Sequence, residues 1–206
     1  MNSENKILED LLNDLYDNRI SLNLKMPFIE HINLCLRYAK KIKGMMSKND
    51  FVSLVGMVLF HDTIMVYPNM DLAEELYTRL KHFHISKEDV IASSFKNTRD
   101  KFGGNDWSKL VPLYVDKLVV HQSEICIISA LVCWICHVIF CVKSDNLEYL
   151  DNLDIMYKSL HSKLNLDAYR YRLIIQDLLL DFDFQLSFIR LVMSKKQSIK
   201  LPDNLF

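Results

Sequence analysis

The sequence predicts an all-α fold, a single-domain helical bundle over residues 1–206. Three observations carry that expectation. Gly and Pro are scarce, four of each in 206 residues, which is too little punctuation for a strand-rich sandwich. Leu, Ile, Lys, Glu and Met are plentiful, and apolar residues recur at three- and four-residue intervals. Half of the chain is apolar, enough to bury one substantial core, and the length favours one domain over two. There is no internal repeat, low-complexity stretch or domain linker.

The elements follow in order. Ser3 caps a first helix whose stripe is Ile7, Leu8, Leu11, Leu12 and Leu15, with Asn18 near its end. Pro27 suits the first turn of a second helix, with Phe28, His31, Ile32, Cys35 and Tyr38 on its inner side and Gly44 at its exit. A third starts at Asn49 or Asp50 and runs to His61-Asp62, before Pro68 breaks the pattern. Residues 72–83 read as a fourth helix, and Ser86, followed by Glu88 and Asp89, opens a fifth to about Thr98. The loop KFGGNDWS contains the only Gly pair, and KLVPLYVDKLVV after it reads as helix or a short extended piece. Residues 125–142 are apolar apart from Ser129 and His137 and read as a buried or interface helix. SDN at 144–146 restarts the chain, and residues 169–193 form a last helical region.

Composition also excludes partners. The 25 basic and 26 acidic residues are interspersed, so neither general nucleic-acid binding nor a polybasic membrane surface is expected. Four of the five cysteines crowd residues 126–141, as buried thiols of a reducing compartment do. The acidic, amphipathic N-terminus lacks the basic and apolar regions of an export signal, so a cytoplasmic location is expected. The apolar run is at the short limit of a membrane span, its flanks lack Lys/Arg asymmetry, and a central helix is the better reading. A helix apolar on all sides also suits a homodimer interface.

The chemistry concentrates at His61-Asp62, where an imidazole and a carboxylate lie side by side at the end of an apolar stretch. With His31 upstream and Asp116 in LYVDKLVV they make a four-ligand set for one divalent metal ion, Mn, Fe, Ni, Zn or Mg. Such an ion brings the pKa of a bound water toward neutrality, which suits attack on phosphorus. Four ligands on separate elements converge most readily inside a helical bundle.

This spacing resembles the HD superfamily of metal-dependent phosphohydrolases, and in particular its small bacterial members. HDTIMVYPNMDLAEEL looks like the stretch where their HD pair is followed by a Tyr, a Pro and an acidic helix start. ISKEDVIASSFKNTRD is similar to their next helix, LYVDKLVV to the element carrying the late metal Asp, and DAYRYRLIIQDLL to their C-terminal Tyr-Arg helix. The likeness spans about three quarters of the chain, with only the HD pair matching letter for letter. It implies an HD-type bundle that hydrolyses a phosphate ester of a small molecule, a nucleotide by analogy. Metal would sit on His31, His61, Asp62 and Asp116, with Asp62 also catalytic and Arg99 and Arg172 as substrate contacts.

Two departures point to an alternative, a catalytically degenerate HD fold acting as a binding, regulatory or interaction module. Pro27 stands where related enzymes carry a proton-donating His. Thr98-Arg99-Asp100 replaces a Thr-Lys-His-like motif, putting a carboxylate where an imidazole would face phosphate. Cys133-Trp134-Ile135-Cys136-His137 has c-type haem spacing, but it lies in an apolar run without an export signal, so packing is the better reading.

Overall fold

The computed structural model describes residues 20–21, 26–61, 81–93 and 106–199. Among them are seven α-helices: α1 Phe28–Lys41, α2 Lys48–Phe60, α3 Lys87–Ser93, α4 Trp107–Val120, α5 Glu124–Ser144, α6 Leu147–Lys163 and α7 Arg172–Ile199. The only extended structure among the described residues is a two-residue antiparallel pair, β1 Ile20–Ser21 and β2 Met26–Pro27, with Ile20 opposite Pro27. The chain is therefore all-α, as its composition predicts.

Most helix starts follow local chemistry that the sequence displays. Ser47, not Asn49 or Asp50, caps α2: its Oγ accepts from the Asp50 amide at 3.2 Å and donates to the Asp50 carboxylate. Asp50 thus exchanges with the Ser47 hydroxyl one turn inside, while the Ser47 amide donates to the Tyr171 hydroxyl at 3.0 Å. A full capping box opens α3, where Ser86 Oγ accepts from the Asp89 amide and Asp89 Oδ2 accepts from the Ser86 amide at 2.9 Å. Asp106 caps α4 by accepting from the Ser108 amide, which makes KLVPLYVDKLVV helical with Pro112 inside it. Asp145 ends α5 in the left-handed region (φ 50°) and Asn146 caps α6 through the Tyr149 amide, the restart expected at SDN. Pro27 precedes α1 as its cap and is not its first helical residue.

The expected helix at 3–18, most of that at 72–83 and the end of that at 86–98 lie outside the described residues; Lys81–Phe83 form a 3₁₀ turn.

Helix α5 is the axle of the bundle and packs against each of the other six helices. Fifteen of its 21 residues are buried. It is the one helix among the described residues long and apolar enough to cross a membrane, yet 78 % of its most apolar window is buried inside the protein. The run therefore serves as a core helix, the better of the two readings its sequence allows, with the chain's own helices packed around it. Gly56 in α2 permits a close approach from the following segment, since a Cβ there would lie 2.5 Å from Phe83 Cβ.

Candidate metal centre

Three histidines from three helices meet beside α5. His31 occupies the first turn of α1 and is fully buried; His61 caps the C-terminal end of α2; His137 is one of the few polar residues of α5. His31 Nε2 lies 3.0 Å from His61 Nε2 and 2.9 Å from His137 Nε2. All three offer donor atoms within 4.8 Å of one another. His61 and His137 are only partly buried, so the group is reached from their side.

The outer ring nitrogens of His61 and His137 have partners of their own. His61 Nδ1 is 2.6 Å from the Val58 carbonyl, which can only accept, so the ring proton sits on Nδ1 and Nε2 presents a lone pair when neutral. His137 Nδ1 lies 2.7 Å from the Tyr149 hydroxyl, which accepts when the ring carries its proton on Nδ1 and donates when it does not. Holding a ligand histidine through its second nitrogen is the usual way a metal site sets ring orientation and basicity. The edge of Trp107 packs on the Tyr149 ring, with centroids 5.9 Å apart, and keeps that hydroxyl in place.

A proton on one of these nitrogens can bridge a neighbouring pair, and a single cation at the focus would engage all three together. Nitrogens ~2.1 Å from an ion are ~3.0 Å apart at right angles and ~3.4 Å apart at the tetrahedral angle. The observed separations of 3.0 and 2.9 Å fall at the right-angle value. The donor set and its spacing thus fit a divalent transition metal.

Two of the ligands suggested by the sequence, His31 and His61, are brought together. Asp62 lies outside the described residues, as does Arg99. Asp116 is not a donor in this group: on α4 its carboxylate is half exposed and accepts from Lys163 Nζ at 2.6 Å. Arg172 is also exposed and pairs with Asp167 at 3.3 Å. His137 stands outside the four-ligand set read from the sequence, where only a shifted register after Asp116 would bring it near the site. Its signal was there, since an imidazole in the middle of an apolar helix needs a polar partner.

Around the imidazoles lies a thiol wall. Cys35, one turn after His31, has its Sγ 3.6 Å from His31 Nε2, and Cys133 and Cys136 lie a turn before or beside His137. Burial pushes the Cys35 thiol well up, helped by hydrogen bonds with Cys133 and Cys136. The haem-like spacing is thus two core thiols on one helix.

A second mixed group, Asp89, His121 and Cys126, joins α3, α4 and α5. Asp89 Oδ1 is 2.8 Å from His121 Nε2 and accepts from Cys126 Sγ at 3.5 Å. Burial alone would raise the Asp89 pKa, but hydrogen bonds from His121 and Ser86 outweigh it and hold it below 3.8. The Cys126 thiol is pushed up to about 12 by burial. These groups satisfy one another as a clamp between helices.

Compared with protein-family models, curated proteins and solved structures, the chain matches none.

Proposed function

We propose that this chain is a metal-dependent hydrolase of the HD type, acting on a phosphate ester, with its ion held by His31, His61 and His137. The observation that carries the proposal is the convergence of three Nε2 atoms at 2.9 and 3.0 Å, two of them from the histidines of the HD-like pattern. Imidazole donors favour Zn, Fe or Ni over Mg. Such an ion, when bound, supplies Lewis acidity and brings a water's pKa toward neutrality. Three neutral ligands leave its double charge uncancelled, which favours an anionic ligand such as a phosphate oxygen at the remaining positions. The residues of the chain hold and orient: Val58 and Tyr149 keep the His61 and His137 lone pairs inward, and Phe140 and the thiols wall off the buried side. Asp62, next to His61 in sequence, is the candidate for a further ligand and for proton handling. The nucleotide part of the substrate rests on family resemblance.

A second reading, a degenerate HD fold that binds without turnover, is favoured by Pro27, which caps α1 and has no proton to give.

Metal analysis of the purified protein tests the site. One equivalent of ion is expected, lost in His61→Ala and His137→Ala and kept in Asp116→Ala. Retention in His137→Ala, or loss in Asp116→Ala, would overturn the assignment. An aryl phosphate and a nucleotide panel then separate the two readings, because metal without turnover selects the second.

A further inference from the structure

Helix α7 buries one side against the bundle through residues such as Ile175, Phe182 and Met193, and leaves another side in water. Leu173, Leu180, Phe184, Phe188 and Leu191 are 64, 64, 61, 48 and 52 % exposed. They follow one another at seven, four, four and three residues, so they line a single stripe along the helix. The exposed Asp177 and Lys195 extend the stripe at the same three- and four-residue steps. The rings of Phe184 and Phe188 stack at 6.0 Å and 9°, forming one flat apolar plate near its middle.

We infer that this stripe is where a second copy of the chain docks, with the two α7 helices antiparallel about a two-fold axis level with residue 186. The spacing of the stripe is that of a helix that seats against another helix. The charges select the direction. Asp177 and Asp181 lie in the first half of α7 and Lys195 and Lys196 in the last. Parallel pairing sets like charges together; antiparallel pairing sets Asp177 against Lys195 of the second copy. In that same register Phe184 meets Phe188 of the second copy, twice, and Leu180 meets Leu191. Apolar contact and charge thus agree on one alignment, which a chance scatter of exposed side chains has no reason to do. The five side chains leave roughly 500 Å² of apolar surface in water, the upper end of what a monomer carries. Doubled, and with flanking residues added, this falls within the ~1,200–2,000 Å² of stable interfaces.

Sedimentation velocity of the full chain over a wide concentration range tests the inference. A species of twice the 24.3 kDa chain mass is expected. Phe184→Glu should give a monomer that still unfolds cooperatively, with a Tm that no longer depends on protein concentration. Asp177→Lys and Lys195→Asp should each weaken the dimer ~10-fold by placing like charges across it, and the double variant should recover most of that loss. The charge series sits in solvent away from the core, so it decides the register even if Phe184→Glu does not fold. Wild-type protein that stays monomeric, a dimer that survives Phe184→Glu, or a double variant no tighter than the singles would overturn the inference.

Discussion

Tyr149→Phe removes one oxygen, the atom that holds the His137 ring. In the ligand tautomer His137 donates its Nδ1 proton to that oxygen across 2.7 Å. Without it the ring is freer to turn, and its Nε2 is less basic. Loss of such an outer partner costs ~10–100-fold in metal affinity, or about 1.4–2.7 kcal/mol. The apo protein loses one hydrogen bond, worth about 1 kcal/mol. The two effects separate in thermal unfolding with and without zinc. At zinc 100 times its wild-type Kd, binding adds about 2.7 kcal/mol, which raises Tm by about 5–11 °C in a chain of this size. At that same zinc concentration the variant gains about 0.4–1.4 kcal/mol, or about 1–6 °C. A competitive chelator titration gives the affinities directly, with His61→Ala as the control that should show no zinc-dependent shift. Equal zinc affinity in wild type and Tyr149→Phe would refute the reasoning. Tighter binding in the variant would mean that Tyr149 donates to His137 and holds the wrong tautomer.

Two further predictions concern the frame around the site. Gly56→Ala should destabilise the protein by about 1–2 kcal/mol: the added Cβ lies 2.3 Å from Ile85 Cδ1 and 2.5 Å from Phe83 Cβ, and overpacking outweighs the helix-propensity gain of about 1 kcal/mol. A urea midpoint equal to or above wild type would contradict this. Asp50 sits below its ordinary 3.8 because Ser47, then Tyr171, hydrogen-bond its carboxylate and Arg170 lies beside it. A depressed folded pKa gives stability that is fully present above the unfolded value and lost as pH falls through the folded one. The advantage of wild type over Asp50→Asn should therefore be constant near neutral pH and shrink below about pH 3.8; unfolding midpoints of both proteins down an acid series measure it, and an advantage that grows in acid would rule the account out.

Much of the fold was legible because its signals are local. Ser86 and Asn146 sit before apolar periodicity and do cap helices, and the apolar length of residues 125–142 demanded burial on every side. Cap position was harder to read where two candidates compete: Asp50 has the right chemistry for a cap, but Ser47 lies three residues earlier and makes Asp50 its reciprocal partner. The site was half legible. His31 and His61 stood out through their neighbours, whereas Asp116 looked like a ligand only in sequence. Its rotation about α4 turns it to Lys163, forty-seven residues on, and no local pattern encodes that pairing. His137 stayed outside the ligand set because the register after Asp116 is open, and no local pattern says which imidazole of that stretch reaches the site.

The thiols also bear on why imidazoles alone serve as the donor set. Cys35 follows His31 by four residues on α1, and Cys136 and His137 follow Cys133 by three and four on α5, so each helix turns a mixed strip of imidazole and thiol toward the other. A thiol binds metal as thiolate, and burial holds the Cys35 thiol well above its ordinary value, so at neutral pH it keeps its proton and its neutral, apolar character. An imidazole needs no such change; it is a ligand in the neutral form that burial favours. The same dry packing that gives α5 its place at the centre of the bundle therefore sorts the candidate donors, with three imidazoles gathered at one focus and three thiols as its wall.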